Sequence, residues 1–217
     1  MIETIITGGP MMIFLLVCSV AGLAVILDRV KAYIDNGKVD NRALRADVLK
    51  FLEENRLQDA MTLCASTSSP TSAVLLTGLQ SYQKLLSVKA TPEAIRTIIS
   101  KAMEDYYPHA LHAVEKRLNI LSTIGTAAPL FGMTGTVTGM IKSFSALAAS
   151  GMDAKIVGAG IAEALITTAA GLLIALGAVI PYNLLMARVE NIGLEMEEAA
   201  AEMVDFITMQ AERQASR

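Results

Sequence analysis

The chain has 217 residues, of which 53% are hydrophobic and 18% are charged, with a formal net charge of −3 at pH 7. This balance predicts a membrane protein with a substantial aqueous portion. The mild charge, the lack of Lys/Arg runs and the absence of Trp argue against a nucleic-acid-binding surface, so no nucleic-acid partner is expected.

The first apolar run covers residues 10–27. Glu3 is the only charge before it, and Asp28 and Arg29 follow it instead of a small-residue cleavage site. We therefore interpret it as a retained transmembrane helix and not as a secretory signal. Cys18 lies in this run and Cys64 lies in the loop that follows, so we expect both thiols to be reduced and unpaired.

Residues that commonly cap or start helices recur along the long hydrophilic loop. They predict helices from Asp40-Asn41 to about Asn55, from Leu57 to Ala65, from Ser69-Pro70 to about Leu86, and from Thr91-Pro92-Glu93 onward. The last of these is expected to continue into the second apolar helix, with Pro108 as a place for a kink. His109, His112 and Glu115 share one helical face there, which we interpret as solvated and not as a metal site.

Two more transmembrane helices are predicted over residues 118–141 and 160–187, since each is long enough to span a bilayer. Basic residues flank the long loop and follow the third helix, which by the positive-inside rule places the N-terminus outside and the C-terminus inside. The predicted segments are an outside N-terminal part with helix 1 (1–30), a cytoplasmic helical loop domain (31–117), helix 2 (118–144), a short outside connection (145–157), helix 3 (158–187) and a cytoplasmic helical tail (188–217). The acidic tail cluster, Glu195 to Glu202, is expected to be a wet surface, with a basic partner as the alternative.

Helix 2 carries a stripe of small, polar or Pro residues at alternating spacings of three and four. The stripe consists of Ser122, Gly125, Pro129, Gly132, Thr136, Gly139 and Ser143. Small faces pack membrane helices closely, and hydroxyls can hydrogen-bond across them. Two interpretations stay open, a packing seam and a polar conduit. Pro129 removes a backbone hydrogen bond, and it too has two open interpretations, a fixed packing kink and a hinge.

Helix 3 carries a matching stripe, which consists of Ala164, Thr168, Gly171, Ala175 and Ala178. Thr136 and Thr168 each lie six residues outside the centre of their helix, so both lie about 9 Å from the midplane, with Glu163 roughly 7 Å further out. Glu163 is the one charge among the 32 residues between Lys155 and Arg188, and Thr167 follows it by four residues. Glu163 could pair with Lys142 or Lys155 near the membrane edge, or it could be a partly desolvated group that binds or passes protons.

Three strings give the chain its resemblance to a known family. They are GGPMMIFLLVCSVAGLAVILDRV (8–30), LSTIGTAAPLFGMTGTVTGMIKSF (121–144) and GAGIAEALITTAAGLLIALGAVIPYN (158–183). In these strings the chain resembles the MotA/TolQ/ExbB proton-channel family, ExbB most and TolQ second. One departure is Thr138, where ExbB and TolQ often have Trp.

The resemblance implies an all-α membrane protein with three transmembrane helices and long helical cytoplasmic extensions, assembled as a cyclic homopentamer in the bacterial inner membrane. Inside the ring it implies a partner like ExbD or TolR, with one span and a transmembrane Asp, that drives a transducer like TonB or TolA. It places the family's pore threonines on Thr136 and Thr168, its helix 3 glutamate on Glu163 and its helix 2 proline on Pro129. From the helix faces themselves we add Thr167 to the expected proton pathway, and we expect Pro129, Gly125, Gly132, Gly139 and Gly171 to serve helix kink and packing.

The expected function is that of an ExbB-ExbD type stator, which uses the proton motive force to energise TonB-dependent outer-membrane transport. The alternatives are a TolQ-like subunit of the Tol-Pal system and a non-conducting membrane scaffold. No Ser/His/Asp set, zinc motif or phosphate loop is visible, so no enzyme activity is expected, and no cofactor besides the transported protons.

Overall fold

The computed structural model describes residues 9–37, 39–88, 90–150 and 154–215. Within these ranges the chain is helical and contains no strand, which confirms the all-α prediction. The helices are α1 (Met11–Asn36), α2 (Asn41–Glu53), α3 (Leu57–Ser66), α4 (Pro70–Leu86), α5 (Pro92–Glu115), α6 (Leu118–Ser150) and α7 (Ala154–Ala215).

The helices divide into two compact units, each with its own contacts. The first, here called the apolar unit, contains α1 as far as Val30, α6, and α7 as far as Leu185. The second, the polar unit, contains the chain from Lys31 to Lys116 and α7 from Met186 onward. Helix α7 is one uninterrupted helix of 62 residues, so the helical tail continues the third span.

Three segments are long and apolar enough to cross a membrane, which confirms the three predicted spans. They are Met11–Ile34, Leu118–Ala148 and Val157–Arg213. Helices α6 and α7 also extend into residues 145–157, which the sequence analysis gives to a connection. Large apolar side chains on all three helices are exposed, among them Phe14, Leu23, Phe144 and Leu173, as lipid-facing surfaces require.

Helix α1 packs antiparallel to α6, and the contacts between the two helices include an aromatic pair and a glycine. The rings of Phe14 and Phe131 stack with centroids 5.6 Å apart. A Cβ at Gly22 would lie 3.4 Å from the side chain of Ile124, in ordinary van der Waals contact. At the far end of the pair, Arg117 Nη1 donates to Asp28 Oδ2 at 2.9 Å.

The helices of the polar unit begin where the capping residues predict. Asp40 Oδ1 accepts hydrogen bonds from the backbone N–H groups of Arg42 and Ala43. Ser69 forms a capping box with Ser72, and the Thr91 hydroxyl accepts from the N–H of Ala94. These bonds satisfy N–H groups that the first helical turn leaves without partners, which fixes each start.

The core of the polar unit consists of large aliphatic and Met side chains from α2 to α5 and from α7. Those that are almost fully buried are Val48, Val74, Leu75, Leu79, Ile99, Met103, Met196, Met203 and Ile207. The acidic tail cluster finds its partners within the same unit. Arg45 forms ion pairs with Glu198 and Glu202, and Asn41 donates to Glu195 at 2.7 Å.

One expectation about the loop is wrong. Helix α5 contains Pro108 but ends at Glu115, and it does not continue into α6. Arg117 adopts a positive φ of 70°, which a right-handed helix cannot accommodate. The break between α5 and α6 contains neither Gly nor Pro, so the helical pattern of the sequence continues through it.

Candidate functional site

Helices α6 and α7 meet along an antiparallel seam of small residues. A Cβ at Gly171 would lie 2.6 Å from the carbonyl oxygen of Ala128, and a Cβ at Gly132 would lie 3.0 Å from the Cα of Thr168. Both contacts are with backbone atoms, which cannot rotate away. The two glycines therefore let the helix backbones approach each other directly.

The seam continues toward the start of α7. Gly135 lies against the methyl group of Thr167, and Gly139 lies against the carbonyl oxygen of Gly160 and the side chain of Ala164. In the opposite direction Gly125 faces the side chain of Val179. The glycines of the predicted stripe thus lie close to α7.

The Thr168 hydroxyl makes the polar contact across the middle of the seam. Thr168 Oγ1 donates a hydrogen bond of 2.9 Å to the carbonyl oxygen of Gly132. Thr136 lies one turn further along α6, partly buried, and its hydroxyl donates to the carbonyl oxygen of Met133 at 2.6 Å. A hydroxyl has one donor and two acceptor lone pairs, so each Thr still has acceptor capacity toward a further group.

Thr167 is the most enclosed polar residue of the seam, with none of its surface exposed. Its hydroxyl donates to the backbone carbonyl oxygen of Glu163 at 2.9 Å. Its methyl group occupies the space that the missing side chain of Gly135 leaves. Thr167 therefore acts in packing as well as in polar contact.

Glu163 forms an ion pair at the outer end of the seam, as one of the two interpretations of its sequence position allowed. Lys142 Nζ lies 3.2 Å from Glu163 Oε1. The Glu163 side chain is 26% exposed and that of Lys142 is 57% exposed. Gly9, with a positive φ of 71°, lies directly against the Glu163 carboxylate, so a side chain at that position would collide with it.

Pro129 lies inside α6, partly buried, and the helix continues past it to Ser150. Pro181 has the same kind of position inside α7. Each ring removes one backbone hydrogen bond from its helix. Among the described residues, no group of His, Cys, Asp or Glu side chains is arranged to hold a metal ion.

Two seam residues were missed in the sequence. Ala128 is fully buried and Gly135 is buried, whereas the predicted stripe passed through their neighbours Pro129 and Thr136. The signal was available, because Ala128, Gly132, Gly135 and Gly139 also repeat at spacings of three and four. Small size, and not polarity, identifies the residues in closest contact.

Comparison with known proteins gives one family match and several relatives. The MotA/TolQ/ExbB proton channel family matches residues 66–198, more than half of the chain. A Tol-Pal system protein TolQ from Haemophilus influenzae is 29% identical over 205 residues, covering 94% of this chain and 88% of the relative. A biopolymer transport protein ExbB from Neisseria gonorrhoeae is 29% identical over 182 residues, covering 82% of this chain and 80% of the relative. A putative ExbB-like protein from Helicobacter pylori is 44% identical over 79 residues, covering 36% of this chain and 53% of the relative.

Proposed function

Because the chain belongs to the MotA/TolQ/ExbB proton channel family, we propose that it is the pore-forming stator subunit of an ExbB-ExbD type motor. Its three apolar helices and its family make it a multi-pass protein of the bacterial inner membrane. In the proposed assembly the N-terminus is periplasmic, the polar unit is cytoplasmic, and five copies surround the spans of a small partner. The motor energises TonB-dependent outer-membrane transport through a TonB-like transducer.

The hydroxyls of Thr168 and Thr136 carry the proposal. Both donate their protons to backbone carbonyls of α6, so what they offer to a partner is acceptor lone pairs. Such groups bind a protonated carboxylic acid, which has an O–H to donate, better than a carboxylate, which can only accept. A partner Asp is therefore held at the threonines while protonated and released after it loses its proton.

This difference couples proton movement to motion. A proton that crosses the membrane releases about 2.3 kcal/mol per 100 mV of membrane potential. The partner Asp takes up a proton on one side, moves past the threonines of successive subunits, and gives the proton up on the other side. The chain itself supplies the walls of this path, and the partner supplies the titrating group.

A ring of copies completes the path, because one subunit with one polar seam cannot enclose a channel. The exposed apolar side chains of α1 and α7 suit lipid and neighbouring subunits equally. Five copies is the number that the family resemblance implies.

Proton flux in proteoliposomes tests the proposal. The chain is co-expressed with its single-span partner, reconstituted, and exposed to a potassium-diffusion potential while internal pH is recorded. Thr168→Val keeps the shape of the side chain and removes the hydroxyl. We expect flux to fall about tenfold, which corresponds to the loss of one hydrogen bond of roughly 1.4 kcal/mol.

Two variants serve as controls. Thr168→Ser restores a hydroxyl and should restore most of the flux. Thr134→Val removes an exposed hydroxyl that bonds only to Leu130 of its own helix, and it should leave flux unchanged. Wild-type flux in Thr168→Val would remove Thr168 from the pathway.

A TolQ-like role in the Tol-Pal system is the second candidate, since the match to the Haemophilus influenzae TolQ covers 94% of this chain. Expression of the chain and its partner in strains that lack either ExbB or TolQ separates the two. Restored iron-siderophore uptake supports the ExbB role. Restored resistance to detergents in the TolQ-deficient strain supports the Tol-Pal role.

A non-conducting scaffold is the third candidate, and the close backbone contact at Gly171 favours it. A scaffold needs the shape of the seam but not its polar groups. Glu163→Gln and Thr136→Ala should then leave cell function intact. Loss of function in both variants, with normal expression and assembly, would count against the scaffold.

A further inference from the structure

The ion pair at the outer end of the seam places a cationic side chain, Lys142, directly beside the carboxylate of Glu163. Glu163 presents a carboxylate in a span that otherwise lacks charge, and such a group is the natural ligand of a passing cation. Here its Oε1 atom lies 3.2 Å from Lys142 Nζ, so an ammonium group already occupies the position of that cation. We infer that Lys142 determines ion selectivity by filling the cation position beside Glu163 and excluding Na⁺ from it.

The surroundings of Glu163 would suit a small cation if the ammonium were absent. Hard cations bind oxygen ligands, from carboxylates, hydroxyls and carbonyls. The buried Ser143 hydroxyl follows Lys142 directly, donates to the carbonyl oxygen of Gly139 at 3.0 Å and lies against Gly160, about one turn before Glu163. Gly9 covers another side of the carboxylate, and it has no side chain of its own that could compete for the oxygens.

Lys142 is placed so that its ammonium group competes with Na⁺ for the Glu163 carboxylate. It is on α6, at the level where α7 carries Glu163, and the ion pair therefore spans the two helices of the seam. A covalently attached ammonium competes with free Na⁺ as an intramolecular ligand, because its tether holds it beside the carboxylate. Repulsion between like charges at short distance also opposes a second cation beside the pair.

This inference rests on the proposed channel function, but its test does not use flux. The full chain is placed in lipid nanodiscs and treated with dicyclohexylcarbodiimide, and modification of Glu163 is followed by peptide mass. The reagent needs a protonated carboxyl group, so Na⁺ bound to the carboxylate slows the reaction. Rates are compared in NaCl and in choline chloride at equal ionic strength.

The wild-type protein should react at the same rate in both salts. Lys142→Gln should react more slowly in NaCl, with the rate about halved at the Na⁺ concentration that half-saturates the site. Lys142→Arg keeps a cation in place and should behave as the wild type does. Lys142→Asn is a second uncharged replacement in case Lys142→Gln assembles poorly, and Glu163→Gln confirms the site of modification.

Protection of the wild-type protein by Na⁺ equal to that of Lys142→Gln would overturn the inference, and so would the lack of protection in both uncharged variants. Failure of proton flux in the reconstituted complex is a separate result. It would contradict the proposed channel function and leave the cation competition at Glu163 measurable.

Discussion

The two units of this protein pack by opposite means. In the apolar unit, α6 and α7 pack closely because Gly171 and Gly132 have no side chains and contact backbone atoms of the facing helix. The same unit exposes large apolar residues such as Leu173. The polar unit buries large residues such as Leu79 and Ile99, and it exposes charged pairs such as Arg96 and Asp205. The two units of one chain are therefore stabilised differently, one by close backbone contact and the other by burial of large apolar side chains.

The difference follows from the surroundings that each unit is suited to, lipid for the apolar unit and water for the polar unit. In water, burial of apolar area drives packing, at roughly 25 cal/mol per Å². In lipid that force is absent between helices, and stability depends on close van der Waals contact and on hydrogen bonds such as that from Thr168 to Gly132. The same substitution should thus have different effects in the two units.

The largest effect is expected for a truncation in the polar core. Leu79→Ala removes a side chain that is fully buried, and it should reduce the free energy of unfolding by about 2–5 kcal/mol. Leu86→Ala on the same helix truncates a side chain that is 50% exposed and should cost far less. Thermal unfolding of the detergent-solubilised protein, followed by circular dichroism, measures both. Equal losses would mean that burial does not stabilise this unit.

The next largest effect is expected at the seam of the apolar unit. Gly171→Ala places a methyl group 2.6 Å from the carbonyl oxygen of Ala128, so the helices must separate, at a cost of about 1–3 kcal/mol. Gly177→Ala on the same helix is the matched control, since among the described residues no heavy atom outside the adjoining backbone of its own helix and its chain neighbours lies within 4 Å of its Cβ position. Resistance to unfolding in sodium dodecyl sulfate should fall for the first variant only. Equal resistance of the two variants would contradict backbone contact at Gly171.

Gly78→Ala tests whether a close glycine contact in the polar unit tolerates a methyl group better than the contact in the apolar unit does. The added methyl group would meet the side chains of Met203 and Met103, which are flexible and can move aside, whereas a backbone carbonyl cannot. Ala also favours the helix over Gly by up to about 1 kcal/mol. We expect the midpoint of thermal unfolding to stay close to that of the wild type. A loss as large as that of Gly171→Ala would show that the Met side chains are as rigid as backbone.

Much of this organisation is visible in the sequence. The caps Asp40, Ser69 and Thr91 start their helices as expected, because capping depends on a few neighbouring residues. The break at Arg117 was missed, since its left-handed backbone has no local signal. Which small residues form the seam was predicted only in part, because Ala128 and Gly135 depend on the rotation of α6 against α7.

The roles of the polar residues depend even more on the partner helix. From the sequence, Glu163 could pair with either Lys142 or Lys155. Its ion pair with Lys142 depends on how α6 and α7 align along their antiparallel seam. The side chain of Lys155 lies outside the described residues. The residue spacing from each helix centre predicts that Thr136 and Thr168 lie at one level. In the structure Thr168 contacts Gly132, one turn from Thr136.

A small effect is also expected for charged pairs on the polar unit. Arg96 and Asp205 approach to 3.1 Å, but both side chains are more than half exposed. Exposed ion pairs contribute about 0–1 kcal/mol, so Arg96→Ala, Asp205→Asn and the double variant should unfold within about 1 kcal/mol of the wild type. Urea unfolding of the three variants measures this directly. A coupling above that value would indicate that the pair is shielded from water.

The central claim is that the threonines of α6 and α7 border a hydrophilic path, and site-directed thiol labelling tests it most directly. Cys18 and Cys64 are first replaced by Ser, although burial raises the pKa of the Cys64 thiol to about 11 and makes it unreactive. Thr136→Cys, Thr168→Cys and the 69% exposed control Leu173→Cys are then treated with a small cationic methanethiosulfonate reagent in the reconstituted complex. We predict that the reagent modifies the first two and blocks proton flux, and that it spares the control. Modification of Leu173→Cys alone, with flux through both threonine variants unaffected, would contradict the account.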